Sequence, residues 1–133
     1  MIRNFLLVAL GLTILAARSD AMAASNHQQC AVVGVGVLGT SLCQQLLTKF
    51  DTVHGITKTA TRHAAIREAV ASEGLVLQTR DECERDQKYT NVVFCAPPSG
   101  FDDYPAAVRD AAANLWAGPE GGGVFVFTSS GAV

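Results

Sequence analysis

Between residues 31 and 58 the chain sets out a pattern that few folds can absorb. Ala31-Val32-Val33 is a short apolar run that enters Gly34-Val35-Gly36-Val37-Leu38-Gly39. From Leu38 onward Leu42, Leu46 and Phe50 recur every four residues, with Leu47 beside them. That spacing predicts a helix carrying one apolar stripe against a sheet. Asp51-Thr52-Val53-His54-Gly55-Ile56 then reads as the next strand. Strand, glycine turn, helix and strand in that order form a crossover unit with two parallel strands.

The rest of the chain repeats the alternation. A helical pattern covers Ala60 to Ala71, with His63, Ile66 and Val70 on one side, and Gly74-Leu75-Val76-Leu77 is a third strand. The polar stretch Asp81 to Lys88 reads as a solvated connection or an exposed short helix. Asn91-Val92-Val93-Phe94-Cys95-Ala96 is apolar without alternation, the habit of a strand covered on both faces, and Pro97-Pro98 stops it. A helix over Asp102 to Ala117 follows, with Tyr104, Val108, Ala112 and Leu115 inward and Pro105 in its first turn. Val124-Phe125-Val126-Phe127 is the fifth strand. Five strands alternating with helices predict an α/β fold: a Rossmann-type doubly wound parallel sheet, incomplete at its later strands.

The chain has 133 residues, 49% of them hydrophobic and 17% charged, with a formal net charge of -2. That supports one domain and excludes a basic nucleic-acid-binding surface. The apolar run Phe5 to Ala17 is shorter than the roughly 20 residues a bilayer span needs, so no stable membrane span is expected. It suits the core of a signal peptide, with Ala21-Met22-Ala23 as a cleavage site. The expected division is therefore a targeting peptide over residues 1–23 and one domain over 24–133. Destination is the secretory pathway or an organelle reached through such a signal; a mitochondrial presequence or a misassigned start remain alternatives. Cys30, Cys43, Cys83 and Cys95 fall where small buried hydrophobes belong, not in a disulfide framework. No Cys or carboxylate stands at ligand spacing from His27, His54 or His63, so no metal site is expected.

The glycine turn carries the chemistry. A lone GxGxxG is weak, but this one leaves a strand and opens a helix. Gly34 would make the tight turn, Gly36 would let a pyrophosphate approach the backbone, and Gly39 would let helix and strand pack closely. Val37 and Leu38 open the helix whose N-terminal N–H groups would face the phosphates. A dinucleotide is the expected cofactor. The acidic residue that usually binds the ribose 2′-hydroxyl of NAD is missing from Gly55-Ile56-Thr57-Lys58-Thr59. Lys58 and Arg62 stand there instead, which favours NADP over NAD unless both are plain surface charges. Thr57 and Thr59 can add hydroxyl contacts. Ala96 and Pro97, past the fourth strand, would wall the cofactor, and the prolines also serve simply to end that strand.

Three segments, Val33 to Gly39, Val92 to Pro98 and Phe125 to Val133, resemble the short-chain dehydrogenase/reductase superfamily, in its extended and atypical branch of NAD-dependent epimerase/dehydratase-like proteins. The resemblance implies an oxidoreductase or epimerase-like activity on an unknown small-molecule substrate. It assigns Ser130 to the active-site serine that orients the substrate oxygen. The family's Tyr-x-x-x-Lys pair does not occur: neither Tyr89 nor Tyr104 has a lysine four residues on. On that ground the chain reads as the N-terminal part of such an enzyme. A non-catalytic nucleotide-binding or sensor module is the alternative. A second resemblance, over Val35 to Leu42, is to the prephenate/arogenate dehydrogenases.

Overall fold

In the computed structural model, residues 28–129 are described. Five strands, β1 (Cys30–Val33), β2 (Val53–Thr57), β3 (Leu75–Thr79), β4 (Asn91–Phe94) and β5 (Phe125–Phe127), form one sheet in the order β3-β2-β1-β4-β5. Every pairing is parallel: Val32 lies beside Gly55 on β2 and Val93 on β4, and Phe94 beside Phe127 on β5. The helices are α1 (Val37–Leu46), α2 (His63–Val70) and α3 (Tyr104–Asn114). The expected α/β, doubly wound, Rossmann-like sheet is the one observed.

Alternation along β1 explains why both sheet faces are covered. Val32 points to the side of α1 and α2, where it packs with Val35, Cys43, Val53, Ile66, Leu75 and Leu77. Ala31 and Val33 point to the side of α3, among Ile56, Tyr89, Val92, Phe94, Ala111 and Leu115. Burying a side chain the size of Phe94 contributes about 1.5–3 kcal/mol. The third helix starts where local chemistry directs it: the Asp103 carboxylate accepts a hydrogen bond from the Ala106 N–H at 3.0 Å, and Pro105 occupies the first turn.

One helical face differs from expectation. Leu38 does not belong to the inward stripe of α1 but is half exposed; Gly39 and Cys43 are the buried residues, with Leu46, Leu47 and Phe50 packed against the same core. Small residues, not the leucine ladder alone, bring α1 close to the sheet. The segment after β3 forms a single 3-10 turn, Arg80–Glu82. All four cysteines are free thiols. No described helix is long and apolar enough to cross a membrane. The expected targeting peptide, residues 1–23, and Ser130 lie outside the described residues.

Candidate functional site

The carboxyl ends of β1, β2 and β4 open into a cleft of about 1030 Å³. Its position follows from topology. The chain builds β2 and β3 on one side of β1, then crosses to build β4 and β5 on the other, and the crossovers leave a crevice between them. Gly34, Gly36, Val37, Leu38, Gly39, Lys58, Arg62, Ala96 and Pro97 all line this one cleft.

The three glycines are not equivalent. Gly34 has φ +89°, and a Cβ on it would lie 2.5 Å from the Ala96 Cα. A Cβ on Gly39 would collide with the Gly34 carbonyl oxygen. Packing alone requires both. Gly36 has φ -90° and its Cβ would meet nothing within 4 Å. The protein itself makes no demand for glycine there, so the space beside Gly36 is open for something else.

That space adjoins the start of α1. Gly36 caps the helix without a side-chain hydrogen bond, and the first turn holds no acidic residue. The first N–H groups of a helix have no acceptor within it, and the dipole adds positive character. Val37 is 90% exposed at this point, an apolar side chain over an open cleft.

The rim carries charges of both signs. Lys58, Arg62, Arg80 and Asp81 line the cleft from the segments after β2 and β3, and Asp102 and Asp110 line it from just before and within α3. Phe101 joins from the same side. Its ring lies 5.9 Å from Phe94 and 6.0 Å from Tyr104, and the Tyr104 hydroxyl donates to the Thr128 carbonyl at 3.3 Å. At the end of β2, Thr57 faces the cleft and also meets buried His63, with 2.6 Å between Oγ1 and Nε2. The thiol that lines the cleft, Cys95, has its pKa raised by burial, partly offset by a hydrogen bond with Thr128. It is a poor nucleophile at neutral pH. Among the described residues no group of three His, Cys, Asp or Glu is placed to hold a metal ion.

Arg80, Phe101, Asp102 and Asp110 were not among the expected site residues. Arg80 follows β3 as Lys58 follows β2, so its place past a strand end was a readable signal. Phe101 and Asp102 lie in the connection after β4, before α3 begins, and Asp110 reaches the cleft from within α3.

Neither a protein-family model nor a curated protein matches the sequence. Among solved structures, the fold is similar to an S-adenosylmethionine dependent methyltransferase from Mesorhizobium loti. The TM-score is 0.54 at 18% identity, over 76% of this chain and 45% of that one. The chain thus spans less than half the length of that structure. At this identity the likeness establishes the Rossmann-like fold.

This match corrects the expectations drawn from the short-chain dehydrogenase/reductase resemblance. The structural neighbour is a methyltransferase named for S-adenosylmethionine, so the oxidoreductase and epimerase/dehydratase readings are not upheld. The prephenate/arogenate dehydrogenase and nucleotide-sensor alternatives fall with them, as does NADP, or NAD, as the cofactor. The physical reason is that the quoted segments are shared property. The turn between β1 and α1 and the short apolar strands are what any open parallel sheet of this winding requires. The most specific of the three segments continues past β5, which ends at Phe127, into residues outside those described. Lys58 and Arg62 do reach the cleft, but a cation at its rim does not by itself select a 2′-phosphate.

Proposed function

We propose that the cleft binds S-adenosylmethionine, and that this chain supplies the cofactor-binding region of a methyltransferase-like protein. The observation that carries the reading is the open corner at Gly36, with a helix start that no side chain caps on one side and a long cleft on the other. The N-terminus of α1 suits the carboxylate of the cofactor's amino-acid part, because helix starts bind carboxylates as they bind phosphates. Ile56, Ala96 and Pro97 offer apolar walls to an adenine ring. Asp102 and Asp110 bring negative charge to the side of α3, where Phe101 adds a ring face. Both favour a positively charged sulfonium. The likeness to a protein named for that cofactor supports the same choice. When bound, the cofactor would supply an activated methyl group; the protein's part is to hold and orient it.

Calorimetric titration of the purified chain tests the reading. Saturable one-to-one binding of S-adenosylmethionine and S-adenosylhomocysteine is expected, and Gly36→Leu abolishes it while leaving the melting transition in place. Binding of NADPH or NADH without binding of either adenosyl ligand overturns the proposal.

A further inference from the structure

The end of β2 holds a device that the missing carboxylate leaves conspicuous. Thr57 Oγ1 donates to the Thr59 carbonyl at 2.8 Å. A hydroxyl has one proton, so that bond uses it. With the hydroxyl proton directed to the Thr59 carbonyl, the 2.6 Å approach of His63 Nε2 to the same oxygen is satisfied by donation from the ring. That pairing calls for the Nε2–H tautomer, in a side chain 7% exposed at the first position of α2. Threonine oxygen has two lone pairs. His63 takes one, and the other belongs to an oxygen that lines the cleft. With its proton committed and one lone pair free, Thr57 can only accept from a ligand.

We propose that Thr57 Oγ1 accepts a hydrogen bond from a ribose hydroxyl of the bound cofactor, and that His63 is the positioning residue that holds this oxygen in place while the Thr59 carbonyl engages its proton. The proposal rests on the adenosyl reading above and names the group that does there what a carboxylate does in other sites of this winding. It also sets a direction of selectivity. A free hydroxyl donates to Thr57, whereas a phosphate or ether oxygen would bring lone pair against lone pair, leaving two acceptors unpaired. The site therefore takes ribose with its diol unmodified. The ring nitrogen of His63 reaches only Thr57 and makes no claim on the ligand itself.

Two measurements on the intact chain test this. The first needs no ligand: long-range proton–nitrogen correlation spectra at neutral pH report which His63 nitrogen carries hydrogen. The Nε2–H tautomer is expected, and an Nδ1–H tautomer overturns the proposal. The second compares S-adenosylhomocysteine with its 2′-deoxy and 3′-deoxy analogues by calorimetry. One of the two analogues should bind about tenfold more weakly to the parent protein, but no more weakly than the unmodified ligand to Thr57→Val. His63→Leu, which lets the Thr57 hydroxyl rotate, should weaken the same discrimination, and His63→Gln, which keeps an N–H at similar reach, should restore part of it. Equal binding of all three ligands to the parent overturns this proposal and leaves the cofactor reading standing. Failure of every adenosyl ligand to bind overturns both. Thermal melts of each variant show whether a lost affinity is merely a lost fold: weakened binding with unaltered discrimination in His63→Leu counts against the positioning role.

Discussion

Two regions of the molecule leave large apolar side chains in water, and they do so for different reasons. At the start of α1, Val37 is 90% and Leu38 51% exposed; on the edge strand β5, Val126 is 45% and Phe127 53% exposed. The first pair sits at a concave corner beside a helix start that no side chain caps, a glycine with free space and charged side chains of both signs. The second pair sits on the outermost strand of the sheet among the described residues. Exposure alone does not mark a site. Apolar surface becomes a candidate for binding where polar groups converge on it and the walls are concave. On an edge the same surface is a packing liability.

The largest expected effect separates the glycines of the first region from one another. Gly34→Ala places a methyl group against the Ala96 backbone at φ +89°, with no room to give. It should cost about 2–4 kcal/mol in urea unfolding, within the range for strain plus steric overlap. Gly36→Ala, at an ordinary φ with open space, should change stability by less than about 0.5 kcal/mol or even raise it slightly. Its affinity for S-adenosylhomocysteine should nevertheless fall about tenfold, equivalent to about 1.4 kcal/mol. A Gly36→Ala protein as destabilised as Gly34→Ala would show that the corner is built for packing after all.

A smaller effect concerns the second region. Val126→Lys puts a charge on the exposed edge, a device by which sheets discourage pairing with another chain. Sedimentation at increasing concentration should show less self-association than in the parent. Ligand affinity should stay within twofold of the parent's, on the order of 0.4 kcal/mol. If the substitution weakens binding as strongly as Gly36→Ala, the edge is part of the site and the contrast between the two regions collapses.

Much of the architecture could be read from local pattern, because strand, turn and helix are written in consecutive residues. The order of elements follows from Ala31-Val32-Val33, the glycine turn and the unbroken apolar run of Asn91 to Ala96. Leu38 was misplaced because a ladder of large residues every four positions hides the fact that Gly39 and Cys43, both small, make the closest approach to the sheet. The cleft's lining from β1, β2 and β4 was equally legible, since parallel sheets gather ligands past the carboxyl ends of their strands. The opposite wall was not: Arg80, Phe101, Asp102 and Asp110 line the same cleft as the glycine turn, and no spacing in the sequence announces that encounter. The pairing of Thr57 with His63 was hidden differently: each residue was in view, but the proton count that makes one an acceptor needs the distances.

The smallest effect separates folding from binding by pH. His54 on β2 points away from the cleft, its ring 4.8 Å from that of buried Tyr89. Burial lowers its pKa, and a hydrogen bond with Gln78 only partly offsets this. The folded protein therefore resists protonating His54, while the unfolded chain accepts the proton at the ordinary histidine range. Below that range the unfolded state binds more protons, so stability must fall as pH drops through it. Carboxylates add to acid destabilisation, and the informative quantity is therefore the difference between the parent and His54→Phe, which keeps a ring against Tyr89. Urea midpoints measured from pH 7.5 down to 5.5 should fall more steeply in the parent than in the variant, whereas affinity for S-adenosylhomocysteine should follow the same curve in both. Parallel stability curves would mean that His54 takes up its proton as readily in the fold as in the unfolded chain. A difference in the affinity curves would mean that the core beneath β2 and the cleft at its end are coupled, and the division between packing and binding surfaces would have to be redrawn there.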